Sequence, residues 1–240
     1  MSRIEDLAAS YRILAEHGII DAYGHVSVRS ESDPQRYLLA RSVAPELVVP
    51  DDILEYDLDS NPINPQAPES VRERFIHGEV YKARPDVIAV VHNHSPSVIP
   101  FSVTGVEMRP IFHMAAFIGL GVPNFEIRDV EKGSDLLVKT PKLGAALARV
   151  LAGKPAALMR GHGALVVGED LPRAVGRSIN LEMSAKMQAQ AIAFAGPGGH
   201  IAYMDAGEVA ASYPPQVYVR AWPLWRERAL AQMQADLTKK

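Results

Sequence analysis

The sequence predicts one α/β domain in which a largely antiparallel sheet lies between helices. Three observations carry this. Short strand-like runs alternate along the chain with segments of helical period. Two early runs, 24–29 and 37–41, are separated only by a polar turn, as in a hairpin. No internal repeat, low-complexity stretch or dividing linker interrupts the 240 residues, a length that suits one ordinary α/β domain or two small ones.

Ile4, Leu7, Ala8, Tyr11, Leu14 and Ala15 recur at helical spacing, and Gly18 follows as a stop. Gly24-His25-Val26-Ser27-Val28-Arg29 alternates polar and apolar, as in a half-buried strand. Residues 30–36 form a polar turn, Tyr37 to Arg41 is the returning strand, and Ile53 to Leu58 reads as another. The Pro-rich stretch 61–68 is a surface loop. A helix is expected from Glu69 to Ala83, stopped at Arg84-Pro85. The apolar run from Val87 leads as a strand to Asn93, and a short helix follows near Ser95, its expected N-cap. A helical piece starts near Phe112. Ser134 to Leu151 reads as an amphipathic helix interrupted early by Pro141. Ala156 to Met159 and Ala164 to Val167 are strands. Leu171 to Phe194 is a long helix with Pro172 in its first turn and Gly196 beyond its end. A tail from about residue 205 holds a Tyr213-Pro214-Pro215 turn and an aromatic helix with Tyr218, Trp222 and Trp225, which anchor it in the core or at a subunit interface. The whole of 1–240 is read as one domain.

Composition excludes several classes of function. Hydrophobic residues are 48% and charged residues 22%, the balance of a soluble globular protein. A net charge of −3 without a basic cluster argues against nucleic-acid binding. No stretch approaches the roughly 20 apolar residues of a membrane span, and Met-Ser-Arg-Ile-Glu-Asp lacks the apolar core of a signal peptide, so a cytoplasmic location is expected. There is no cysteine, which removes disulfides and thiolate chemistry and leaves any metal to His and carboxylate ligands.

Among eight histidines, His-x-His occurs once, as His92 and His94 at the end of the most strand-like run. This spacing puts two imidazoles on one face, about 6 to 7 Å apart along the chain, within reach of one ion. His162, wrapped in Gly161 and Gly163, can complete a facial set of three with positions left open, as catalytic metal sites require. Glu73, four residues before His77, adds a carboxylate. A histidine alone is an ordinary hydrogen-bonding group; the constellation is what points to a divalent metal site.

The matches Glu73-x-x-x-His77, Tyr81-Lys82-Ala83-Arg84-Pro85-Asp86, Val90-Val91-His92-Asn93-His94-Ser95 and Gly161-His162-Gly163 resemble the class II aldolase/adducin family, in family order and spacing over residues 5–195. The resemblance implies an αβα sandwich around an antiparallel sheet and a homotetramer with active sites between subunits. It places His92, His94 and His162 on one divalent ion per subunit (Zn, Mn, Co or Fe), Glu73 as catalytic acid/base, and His113 in a catalytic segment. The tyrosine that follows that histidine in the aldolases is replaced here by Met114.

Further departures point away from sugar-phosphate aldolases. Their phosphate cradle of hydroxyls and backbone N–H groups is replaced by His25, Ser27, Arg41, Ser42 and Arg72. Guanidinium forks suit planar carboxylates. Gly-His-Val-Ser-Val-Arg with Arg-Ser-x-Ala-Pro-Glu resembles the branch that decarboxylates dihydroxyphthalate or hydroxy-methylpyridine dicarboxylate. The expected partner is thus a small-molecule carboxylate. An aldolase for an unphosphorylated hydroxy-keto substrate, a non-haem Fe(II) oxygenase on the same triad and an adducin-type scaffold are the competing readings. His77, one turn after Glu73, is expected to be structural, with orientation of a metal ligand as the alternative, and His17 and His200 are expected to lie on the surface.

Overall fold

A computed structural model describes residues 2–212, 218 and 220–238. Seven strands form one sheet in the order β3-β2-β1-β4-β7-β6-β5: β1 His25–Arg29, β2 Arg36–Ala40, β3 Ile53–Asp57, β4 Ala89–Asn93, β5 Asn124–Phe125, β6 Ala156–Met159 and β7 Gly163–Gly168. Every pairing is antiparallel except that of β5 with β6. The expected largely antiparallel sheet is therefore present. β5, of two residues, is too short to leave a period in the sequence.

The pleat sends alternate residues to two cores. On one face Val26, Val28, Val91 and Val166 pack with Leu7 and Leu14 of α1 (Arg3–Glu16) and with Val175 and Ile179 of α5 (Leu171–Ala195). On the other, Leu39, Val90, Leu165 and Val167 pack with Ile76 and Val80 of α2 (Phe75–Ala83) and with Leu143 and Leu147 of α4 (Pro141–Leu151). This is a helix–sheet–helix sandwich. The helix ends follow capping chemistry: Ser2 and Glu5 form a capping box on α1, and Asp170 accepts from the Arg173 N–H on α5.

Three expected helices begin later than their sequence reading. Ser70 bridges Arg41, and the Ser42 N–H donates to the Glu69 carbonyl at 2.7 Å, so 69–71 runs along the sheet and 72–74 turns before α2 starts at Phe75. Glu73 thus stands in the turn before the helix. Residues 134–140 do not join α4, because Pro141 occupies its first turn and Thr140 caps it by accepting from the Leu143 N–H. Ser95 is not the cap of α3, which runs Ile99–Val103 with Val98 at its N-cap; Ser95 instead offers its carbonyl to the Val98 N–H.

The segment from His113 to Ile118 is a 3₁₀ helix. The tail forms α6 (Ala206–Ser212) and α7 (Ala221–Leu237); the expected turn at Tyr213-Pro214-Pro215 lies outside the described residues. Trp222 and Trp225 pack against the α1 side of the core, with the exposed His17 edge-on to Trp225 at 5.5 Å. Arg226 with Asp6 and Arg12 with Asp236 tie α7 to α1. His200 is exposed, as expected. Among the described residues no helix is long and apolar enough to cross a membrane.

Candidate metal centre

β4 delivers His92 on the α2 side of the sheet, and His94 follows one residue beyond the strand end. β7 pairs with β4 so that His92 lies opposite Leu165, and the tight turn from β6 to β7 brings His162 to the same end of the sheet. The turn before α2 supplies Glu73. Ligand atoms of Glu73, His92, His94 and His162 all lie within 4.8 Å of one another. His94 Nε2 is 3.2 Å from both His92 Nε2 and His162 Nε2, and Glu73 Oε2 is 3.5 Å from each of the latter two.

The far side of each ring fits the donor set to a cation. His92 Nδ1 faces the Ala164 carbonyl at 3.3 Å, His162 Nδ1 the Leu136 carbonyl at 2.9 Å, and His94 Nδ1 the Asp21 carboxylate at 3.1 Å. These partners only accept, so each neutral ring carries its hydrogen on Nδ1 and turns a bare Nε2 lone pair inward. Three lone pairs and a carboxylate facing one another repel unless a cation or a proton lies between them. Glu73 is held in place from the outside, its Oε1 accepting from the Val138 N–H at 2.7 Å.

Burial opposes charge on the Glu73 carboxyl, yet His92 and His162 opposite it hold its pKa well below the usual carboxylate range. Burial also lowers His162, but Glu73 outweighs it and raises that imidazole overall. On His92, fully buried, burial dominates and the pKa falls.

The cluster opens into a cleft of about 940 Å³. Of the residues singled out in the sequence, His25, Arg41, Ser42, Arg72, Glu73, His94 and His162 line it. Arg41 has its Nε on Asp52 at 2.7 Å, which leaves the Nη edge for a ligand. Arg72 is exposed and, among the described residues, has no ion pair. Ser27, an expected substrate contact, and His113, an expected catalytic residue, are placed elsewhere. Ser27 is fully buried one pleat below His25, its hydroxyl committed to His77 Nδ1 at 2.5 Å and the Tyr81 hydroxyl at 2.8 Å. His113 is exposed at the start of its 3₁₀ helix and does not line the cleft of its own chain.

Asp21 was not singled out in the sequence. Its Oδ1 accepts from the Tyr23 and Gly24 N–H groups and from His94. The signal was an Asx turn, Asp-x-Tyr-Gly, directly before the strand that carries His25. His77 is a buried structural group, as expected: its Nε2 meets His25 Nδ1 at 2.6 Å and its Nδ1 meets Ser27, and no hydrogen bond joins it to the three clustered histidines among the described residues.

Residues 5–189 match the model of the class II aldolase and adducin N-terminal domain. A decarboxylase of Talaromyces stipitatus, tropJ, is 37% identical over 235 residues, 89% of this chain and 88% of that protein. The 3,4-dihydroxyphthalate decarboxylase of Arthrobacter keyseri is 29% identical over 78% of this chain and 77% of its own length. Among solved structures, an L-fuculose 1-phosphate aldolase from Glaciozyma antarctica superposes with a TM-score of 0.75 at 23% identity, covering 98% of this chain and 90% of that one. That likeness shows the fold. The chain belongs to the class II aldolase/adducin family, and its homology extends into the hydroxy-aromatic decarboxylase branch.

Proposed function

We propose that this member of the class II aldolase/adducin family is a divalent-metal-dependent carboxy-lyase acting on a hydroxylated aromatic or heteroaromatic carboxylate or dicarboxylate. The observation that carries it is the cleft wall: Arg41 and Arg72 line the same cavity as His94, His162 and Glu73 of the cluster, and a planar carboxylate suits a guanidinium edge better than a point charge. The decarboxylases among its relatives support the same reading.

His92, His94 and His162 would hold the ion, with Glu73 beside them. When bound, a divalent ion supplies Lewis acidity that stabilises negative charge on an adjacent substrate oxygen. The rest falls to the chain. Arg41, assisted by Arg72, holds the carboxylate that stays. Glu73 takes the proton of the substrate hydroxyl, becoming the neutral acid. The electron pair of the breaking C–C bond remains on the ring carbon as CO₂ departs, and Glu73 returns its proton to that carbon. Proton and charge balance, and the carboxylate is regenerated. His113 can serve such a site only from across a subunit boundary, so its catalytic role belongs with the homotetramer that the family resemblance implies.

The test compares CO₂ release from hydroxy-aromatic mono- and dicarboxylates with cleavage of free and phosphorylated aldols and with oxygen uptake. Turnover of a sugar phosphate alone makes this an aldolase, and oxygen consumption dependent on Fe(II) makes it an oxygenase. Glu73→Gln should retain metal while kcat drops by about 10²- to 10⁴-fold, the usual worth of a general acid or base.

A further inference from the structure

A line of hydrogen bonds runs from the cleft into the core. His25 Nδ1 meets His77 Nε2 at 2.6 Å, His77 Nδ1 meets Ser27 Oγ at 2.5 Å, and Ser27 Oγ meets the Tyr81 hydroxyl at 2.8 Å. The last three residues are fully buried, and of the four only His25 lines the cavity. Such a chain permits two orderings of its hydrogens, and they give His25 opposite characters.

The inner end decides between them. The Tyr81 hydroxyl has two neighbours, Ser27 Oγ at 2.8 Å and the Ile88 carbonyl at 3.3 Å. That carbonyl already accepts the Arg29 N–H at 2.7 Å, so Ser27 is the shorter and less satisfied acceptor. With the tyrosine hydrogen on Ser27, the serine hydrogen has only His77 Nδ1 to go to. A neutral His77, whose pKa burial and then His92 push down to about 3, therefore carries its hydrogen on Nε2 and donates it to His25 Nδ1. A bare His25 Nδ1 leaves that ring's hydrogen on Nε2, the nitrogen left for the cleft.

We infer that Tyr81, Ser27 and His77 are positioning residues that fix His25 as its neutral Nε2–H tautomer, so that His25 meets a ligand in the cleft as a hydrogen-bond donor to an anionic oxygen and not as a base. The ligand side of this inference rests on the carboxy-lyase reading; the tautomer does not. It also accounts for Ser27, which touches no ligand yet decides what His25 presents.

The test has two arms on the full chain. In the first, ¹⁵N-histidine-labelled, zinc-loaded protein is examined by long-range ¹H–¹⁵N correlation at neutral pH, with His25→Gln and His77→Gln for assignment. The expected result is Nε2–H at both His25 and His77, with a mixture of tautomers at both in Ser27→Ala. Nδ1–H at His25 in the native protein, or a Ser27→Ala spectrum unchanged from it, overturns the inference. In the second arm, binding of 2,3-dihydroxybenzoate is measured by calorimetry. His25→Phe should weaken it by about 10- to 100-fold, the worth of a hydrogen bond to a charged group, while His25→Gln, which keeps a donor, loses much less. A side chain that merely packs gives the reverse order, and that order refutes the donor role. A native protein that shows the expected tautomers but binds no hydroxy-carboxylate overturns the carboxy-lyase reading instead.

Discussion

Gly163→Ala should disable the candidate metal centre without replacing any of its four side chains. A Cβ at Gly163 would lie 1.9 Å from the Asn93 carbonyl oxygen and 3.1 Å from the His94 Cα, both backbone atoms of the neighbouring segment. Ordinary contact begins near 3.4 Å, so β4 and β7 must part by more than 1 Å at the point where they present His92, His94 and His162. Overpacking of this kind costs about 1–3 kcal/mol, and a shift on that scale is large against the Nε2 separations of 3.2 Å. Gly161→Ala is the control. Its Cβ would make ordinary contacts at 3.6 and 3.7 Å, and only its φ of +64° opposes it, at about 1–2 kcal/mol. Thermal unfolding and zinc competition against a chromophoric chelator measure both. The expected result is loss of at least tenfold in zinc affinity for Gly163→Ala, well beyond that of Gly161→Ala. Equal affinity in Gly163→Ala and the native protein would show that the glycine wrapping does not set the ligand geometry.

His94→Ala should lose most bound zinc by elemental analysis, since two imidazoles bind weakly; full occupancy would remove His94 from the ligand set. Arg41→Ala should raise KM for a hydroxy-dicarboxylate about tenfold or more with kcat less affected, and an unchanged KM would leave Arg41 as the partner of Asp52 only. Metal-free protein should lose stability on mild acidification because His77, with its pKa pushed down to about 3, stays neutral when folded while the unfolded imidazole protonates below about 6.5. The unfolded chain then binds more protons, so stability falls as pH falls through this window, by about 1 kcal/mol from pH 7 to 5.5 for this group. Urea titrations should show that slope reduced in His77→Gln; an identical slope refutes the assignment.

The sheet and the three histidines were legible because both rest on short-range regularities. Alternation marked β1, the polar turn after it marked β2 as its returning strand, and His-x-His at a strand end brought two candidate ligands together by parity alone. What escaped depends on contacts made far along the chain. The helical reading of 69–74 failed because Ser70 finds Arg41 across the sheet, a pairing that local propensity does not contain. The reading of 134–140 as helix failed for a related reason: that stretch lies over the metal centre, Leu136 and Val138 bonding His162 and Glu73 through the backbone. Backbone groups have no residue-specific signature. Ser27 was placed in the substrate pocket because alternation gives the face of a strand residue but not its depth.

The site is divided in a way that bears on which reactions the scaffold accepts. The far nitrogens of two ligand imidazoles rest on main-chain carbonyls, those of Ala164 and Leu136, and Glu73 rests on the Val138 N–H. Three of the four ligand groups are therefore oriented by backbone whose position follows from the sheet and its covering loop, not from the identity of neighbouring side chains. The opposite wall comes from 41–44 and 69–72, joined by the Arg41–Ser70 bridge and carrying both guanidiniums. Substitutions at 41–44, remote in sequence from all four groups, change charge and hydrogen-bonding capacity on that wall. Glu73 joins the two halves through the chain, directly after Arg72, and His25 joins them through the sheet, paired with His92 while lining the cleft. The residues that would set substrate charge, Arg41 and Arg72, are thus carried by loops, while His92, His94 and His162 of the candidate metal cluster are held by the sheet and its turns.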